Sequence, residues 1–336
     1  MILAPFRTLL LPLTPLYRLG LARRERRLAS GKEPIRRLPF PVVSIGNLST
    51  GGSGKTPLAI ALGRALAERG FGVNVLSRGY GRRNYEPAHV DPAGTAEQFG
   101  DEPLLIARET GLPVYVASQR YDAGLLALRS STKPINSGLM IGLLDDGFQH
   151  RQLHRDIDIL LLDRRDFHDR LLPAGDLRED LHSALRADVI AIPADDLQLE
   201  AELRDWLAAR KWNGTIWRLR RRMEVPETEG PVVAFCGIAR PGQFFNGLEA
   251  AGLRITARVP LKDHHWYTEG DLRRLDKEAR NTGASALVTT QKDSVRLPEF
   301  RWSAPLFTAR LRTEIEDSAA AIEWLAQRFR AASAAR

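Results

Sequence analysis

Pro41–Pro57, PVVSIGNLSTGGSGKTP, is the stretch on which the fold turns. An apolar run carried by Val42, Val43 and Ile45 stops at a glycine-rich loop, after which Leu58, Leu62, Ala65 and Leu66 recur at helical spacing until Gly70. Strand, loop and helix in this order make a phosphate-binding loop. Glycines let successive backbone N–H groups turn toward one point, and the first turn of the helix adds unpaired donors and a positive dipole end. Ser49, Thr50, Gly51, Gly52, Ser53 and Gly54 are therefore expected to cradle phosphate oxygens. Lys55 is expected to carry a mobile positive charge to the β- and γ-phosphates, and the Thr56 hydroxyl to sit on a bridging magnesium ion. Ser49 stands where the general pattern G-x-x-x-x-G-K-[ST] has a glycine, so its turn geometry must arise in another way.

A second stretch answers the first. Leu139–Leu144 is continuously apolar, as a parallel strand buried on both faces should be, and it ends in Asp145 and Asp146. Acids after a strand are common in turns, but beside a phosphate loop they read as the carboxylates that hold the metal opposite Thr56. Phe71–Leu76 is a further expected strand, and Arg78 in the Ser77–Gly81 turn after it is a candidate phosphate contact. Asp101, followed by Glu102-Pro103, heads the helical run LLIARET, where a carboxylate ordinarily caps the helix. Leu112–Val116, Ile157–Leu162 and Leu185–Ile192 read as strands, Arg120–Ser130 as a helix, and 167–179 as an irregular charged loop over the site. His150 and His154 lie four apart, yet no further His/Cys cluster completes a zinc site.

The chain has 336 residues, 43% of them hydrophobic, which suits a buried core and about two domains. Its formal charge of +8 points to anionic partners: phosphates, nucleic acid or an acidic membrane surface. The single Cys236 excludes an internal disulfide framework and suits a reducing compartment. The first twenty-two residues are strongly apolar and Arg23-Arg24-Glu25-Arg26-Arg27 follows at once. Arg7, Arg18, Pro5, Pro12 and Pro15 interrupt that run too often for a spanning helix, which needs about twenty apolar residues. A cleaved signal would carry its positive charges first. The expectation is an interfacial segment over 1–30, with packing on the protein's own core as the competing reading.

The expected division is a phosphate-loop domain over 31–222 and a second, smaller α/β domain over 223–336, starting near Val232 after Pro226–Pro231. The basic strand 215–223 is expected to pair with 306–314 as a linker. Gly242–Gly252 and Asp317–Ala332 read as helices, Arg254–Val259 and Ala286–Thr290 as strands.

GNLSTGGSGKTP, SRGYG, GDEP, LDDGFQH, PAGDLRE, FCGIARPGQFF, KDHHWY and TTQKD, taken together, resemble the tetraacyldisaccharide 4′-kinase family of lipid A biosynthesis. These motifs extend from Gly46 to Asp293, and the family shares Ser49. The resemblance implies a P-loop NTPase-like α/β/α sandwich facing a second α/β/α domain across a cleft, with a membrane-associated N-terminal helical segment. It implies transfer of the ATP γ-phosphate to the 4′-hydroxyl of a lipid-linked glucosamine disaccharide 1-phosphate, the lipid A precursor, at the inner face of the bacterial inner membrane. Lys55 and Thr56 then serve phosphate and magnesium, Asp145 and Asp146 the metal, and Gln149, His150 and Glu179 the nucleotide region. Asp101 becomes the base for the sugar hydroxyl, with a histidine of KDHHWY behind it. Neighbours on an extended chain point opposite ways, so only one of His264 and His265 faces the site, and His264 is the choice.

Two other classes compete. A phosphate-loop NTPase that switches a protein partner or delivers a metal often carries lysine before the double glycine, where this chain has Thr50. A nucleic-acid binder is suggested by basicity alone, with no helix-turn-helix, zinc-finger or RRM pattern, so no nucleic-acid partner is expected. A monomer is the expected state.

Overall fold

A computed structural model of the chain describes residues 7–130 and 138–336. The expectations for residues 1–6, Pro5 among them, lie outside the described residues. Among those residues twelve strands form one sheet. They are β1 (Val42–Asn47), β2 (Gly72–Ser77), β3 (Ala88–His89), β4 (Val114–Val116), β5 (Met140–Asp145), β6 (Ile157–Leu161), β7 (Val189–Pro193), β8 (Thr215–Glu224), β9 (Val232–Cys236), β10 (Ile255–Pro260), β11 (Ala286–Thr290) and β12 (Leu306–Ile315). The order across the sheet is β10-β9-β11-β12-β8-β7-β6-β1-β5-β2-β4-β3.

β1 is buried at every residue and lies between β5 and β6, parallel to both. Its register sets Ile45 beside Asp145, so the phosphate loop and the acid turn leave the sheet at the same edge. The helix after the loop, Lys55–Glu68, buries Leu58, Ala59, Ile60, Leu62 and Leu66 against the sheet, the face its apolar spacing calls for. Thr215–Leu219 of β8 runs parallel to β7, while Leu219–Glu224 pairs antiparallel with Arg310–Ile315 of β12. One ten-residue strand thus joins the two halves of the sheet.

The strand expected at Leu185–Ile192 starts later. Leu181–Arg186 is a 3-10 turn and β7 begins at Val189, because the Asp180 carboxylate caps the turn by accepting from the His182 N–H.

Near the N-terminus, Thr14–Ala29 forms helix α1, preceded by a 3-10 turn over Thr8–Leu13. Tyr17 and Leu21 pack on the core around Leu48 and Phe148, while Leu9, Leu13, Leu16 and Leu19 stay exposed. No described helix is long and apolar enough to cross a membrane.

Gly46 is where the loop strand meets the acid turn: a β-carbon there would stand 2.4 Å from the Phe148 β-carbon and 2.9 Å from its backbone nitrogen. Gly46→Ala is expected to cost about 1–3 kcal/mol by overpacking, read as a lower urea midpoint at unchanged slope. An unchanged midpoint would show that the two segments can part freely.

Candidate active site

Lys55–Glu68 is named α2 and Asp101–Thr110 α3. Gly51, Gly52 and Gly54 have φ of +80°, +50° and +84°, the left-handed backbone that turns the loop's N–H groups inward. Ser49 does not need that freedom. It forms an antiparallel bridge with Leu177, and its carbonyl and hydroxyl each accept from Asn47 Nδ2 at 3.0 Å. The Arg170–Arg178 segment replaces the missing glycine with a strand-like partner, reinforced by Arg178 N donating to the Leu48 carbonyl at 2.7 Å.

The charges beneath the loop are sorted. Lys55 Nζ donates to Asn47 Oδ1 at 2.8 Å and lies 3.5 Å from Asp146 Oδ1. Arg178 donates to both Asp146 oxygens, at 3.0 and 3.1 Å, and to Asn47 Oδ1 at 2.7 Å. Burial works against the Asp146 anion, but Lys55, Arg178 and Arg120 outweigh it and hold this carboxyl far below the usual range. Asp145 is the opposite case. Both its oxygens are buried without a hydrogen-bond partner. Burial first, then the negative charges of Glu102 and Asp146, push it up to about 8. An orphaned carboxylate beside a phosphate loop fits a hard cation. Among the described residues no group of three or more His, Cys, Asp or Glu could hold a metal unaided, so phosphate and water would have to complete the shell.

Gln149 Nε2 donates to the Asn47 carbonyl at 2.9 Å, on the same floor. His150 is pushed down to about 3 by burial and by Arg120, Arg155, Arg24 and Arg78, so its ring is neutral. His154 lies 3.6 Å from Asp156. Arg78 is exposed at the end of β2, near enough for its charge to act on Arg120 and His150.

Glu179 turns away from the loop floor. It is buried against Arg186, which donates to its Oε2 at 2.5 Å and lies over the Phe148 ring. Successive side chains on this bridged segment point opposite ways, so Arg178 faces the loop and Glu179 faces the core.

Asp101 opens α3 but does not cap it; the cap position is Gly100. Its carboxylate, 4% exposed, takes a 2.9 Å hydrogen bond from His264 Nδ1, with Arg296 Nε at 3.8 Å and Lys292 Nζ at 3.9 Å. Burial alone would raise Asp101, but the His264 bond and the charges of Lys292, His264 and Arg296 hold it below the usual carboxylate value. The chain at His264 is a turn with φ +56°, not an extended strand. His265 is occupied elsewhere: its Nε2 lies 3.1 Å from Asp271 Oδ2 and its ring is edge-on to Tyr267.

Several participants escaped the sequence reading. Asn47, Arg120 and Arg178 organise the acid pair. Arg221 donates to the Ser53 carbonyl at 2.7 Å, and Arg240 packs on Gly52 while pairing with Asp163 at 2.6 Å. Lys292 pairs with Glu102 at 2.9 Å. Arg178, Arg240 and Lys292 all sit inside the quoted motifs PAGDLRE, FCGIARPGQFF and TTQKD, the only signal that pointed to them.

The profile of the family described as tetraacyldisaccharide-1-P 4′-kinase matches residues 6–330. The chain belongs to this family. It is 38% identical over 323 residues to the tetraacyldisaccharide 4′-kinase of Koribacter versatilis, covering 93% of this chain and 96% of that one. The Rhodospirillum rubrum kinase is 41% identical over 273 residues, covering 80% and 79%. A crystal structure of LpxK from Aquifex aeolicus in complex with ATP superposes with a TM-score of 0.73 at 30% identity, covering 96% of this chain and 99% of that one. This tetraacyldisaccharide 4′-kinase family member is therefore a kinase with a P-loop α/β fold, and nothing among the matches favours a partner-switching NTPase.

Asp145 gives this kinase a measurable signature when nucleotide and metal are removed. A carboxyl raised from 3.8 to about 8 keeps a proton that the unfolded chain has released, so it makes stability fall as pH rises through that window. Asp145→Asn is expected to flatten this slope in urea unfolding between pH 4 and 8. An identical slope in the variant would mean Asp145 ionises normally.

Proposed function

We propose that the protein transfers the γ-phosphate of ATP to the 4′-hydroxyl of a tetraacylated glucosamine disaccharide 1-phosphate, with Asp101 as the base. The observation that carries this reading is the Asp101–His264 contact at 2.9 Å, with Lys292 close to Asp101 and its charge also acting on Asp145. We read base, phosphate loop and acid pair as parts of one site.

A sugar hydroxyl is a poor nucleophile. As its oxygen bonds to the γ-phosphorus, the bond to the β-phosphate oxygen breaks, its electron pair leaves with ADP, and the hydroxyl proton passes to Asp101. His264 orients the carboxylate and keeps it ionised. The amides of Ser49–Gly54 and the Lys55 ammonium bind the phosphates, with Arg78, Gln149 and His150 around them. Magnesium, for which Asp145, Asp146 and Thr56 would be the protein ligands, supplies charge neutralisation on the phosphates. His264 lies within 223–336 and Asp101 within 31–222, and we read these as two domains whose approach assembles the pair.

Location at the cytoplasmic face of the inner membrane, as a peripheral protein, rests on α1. Its exposed leucines adjoin the basic run Arg23–Arg27, which suits an anionic surface. The same helix touches the site: Tyr17 OH donates to the Arg178 carbonyl at 2.9 Å and Arg24 to that of Gln149. An acceptor held in the bilayer would arrive beside the phosphate loop.

With labelled ATP, magnesium and the acceptor in detergent, wild type should label lipid, and Lys55→Ala and Asp101→Ala should each lose at least about 100-fold in kcat/KM. Unlabelled lipid in wild type overturns the kinase proposal, and an active Asp101→Ala overturns the base. Removing His264 takes away a bond to the Asp101 anion, raising its pKa, so in His264→Ala the acidic limb of kcat/KM should move to higher pH. A limb that stays in place or moves down contradicts the pairing. In flotation with anionic vesicles, Leu16→Glu combined with Leu19→Glu should release the protein; full retention would argue against α1 as the contact.

A further inference from the structure

Lys292 is a cation from the second half of the chain that stands 3.9 Å from Asp101. It lies in the short helix Gln291–Ser294 directly after β11. Asp293 locks that helix in place. Its Oδ1 accepts from Gly237 N at 2.9 Å, Tyr267 OH at 2.7 Å and Arg296 Nη2 at 2.7 Å, and its Oδ2 from Thr290 Oγ1 at 2.6 Å. Asp293 is fully buried, so this bonding fixes the direction of its neighbour.

The Lys292 ammonium meets three groups at once: Glu102 Oε1 at 2.9 Å, His264 Nε2 at 3.5 Å and Asp101 Oδ2 at 3.9 Å. A strut between the halves would need Glu102 alone. We propose that Lys292 is a catalytic residue of the phosphoryl transfer, donating to a non-bridging oxygen of the γ-phosphoryl as that group passes to the hydroxyl held by Asp101. The inference rests on the kinase reading above.

Two arguments support it. A hydroxyl bonded to Asp101 stands about 2.8 Å from the carboxylate, and the phosphorus it attacks lies about 3–3.5 Å further on. An ammonium 3.9 Å from the same carboxylate oxygen, on a four-carbon stem, reaches the oxygens of that phosphoryl group. The second argument is charge. Lys55 serves the phosphates from the loop side, but on the acceptor side an incoming phosphoryl would face the carboxylates of Asp101 and Glu102, and the buried Arg296, 3.8 Å from Asp101, is already engaged by Asp293. A cation between them removes a repulsion that would otherwise grow along the reaction path. Lys292 stays protonated throughout, while the proton of the hydroxyl goes to Asp101 and the leaving pair to ADP. Burial disfavours its charge, yet Glu102 and Asp101 more than compensate and raise its pKa.

Steady-state kinetics on the full chain with both substrates decides between catalyst and strut. Lys292→Ala is expected to lower kcat by at least about 100-fold while the KM for ATP changes by less than about threefold, and Lys292→Arg to recover part of the loss. Glu109→Ala removes the 2.7 Å bond from Gln291 of the same short helix to α3, outside the site, and should keep kcat within about fivefold of wild type. Equal losses in Lys292→Ala and Glu109→Ala, or a Lys292→Ala that keeps its kcat, would overturn the inference. Should Lys292→Ala fail to fold, Lys292→Gln carries the same comparison. A wild type that labels no lipid sinks the kinase reading, whereas an active wild type with an equally active Lys292→Ala sinks this inference alone.

Discussion

The parallel pairing of β1 with β5 is the constraint on which the site depends. Ile45 lies beside Asp145 in that register, so one strand ends in the loop that cradles phosphate and its neighbour in the acids that face it. Ligands of open α/β sheets gather at the carboxyl ends of strands for this reason. The contact of Gly46 with Phe148 then fixes how closely the two turns approach. With that spacing set, Asp146 lies between Lys55 and Arg178 and ionises readily, while Asp145, one residue back, is left buried and unbonded. Adjacent acids reach opposite protonation preferences because one has cations as neighbours and the other has burial and like charge.

The second half of the chain contributes what the phosphate loop lacks. It is tied to the first through β8, which pairs with β7 at one end and β12 at the other. Across that join come Arg240 onto Gly52, Lys292 onto Glu102 and His264 onto Asp101. His264 reaches its partner only because its backbone takes a left-handed turn, a conformation that costs a non-glycine residue energy and that neighbouring contacts, including its N–H to the Gly237 carbonyl at 3.1 Å, must sustain.

Much of this was legible in residues. The apolar run, glycine loop and helical spacing of Val42–Leu66 specify strand, loop and helix through local physics alone, and the acid-ended apolar run at Leu139–Asp146 specifies its neighbour. What local pattern could not supply was partnership over long separations. Ser49 is explained by Leu177, 128 positions later, through a bridge that no periodicity announces. Glu179 was carried by the resemblance alone; in the fold its neighbour Arg178 faces the loop while Glu179 pairs with Arg186. The extended-chain argument allowed only one of His264 and His265 to face the site without choosing between them, and the backbone there turns. Leu181–Arg186 shows the converse, where a cap from Asp180 turned an apolar stretch away from the sheet.

The account stands or falls on whether the loop and the acid pair enclose one metal-bound triphosphate. Manganese in place of magnesium makes this observable, because electron spin resonance of the enzyme–Mn–ATP complex detects the phosphorus nuclei of phosphates whose oxygens bind the ion. Strong phosphorus coupling is expected in the wild type, and its loss or marked change in Asp145→Asn. Coupling identical in the two proteins, with the metal bound equally tightly, would contradict the arrangement described here.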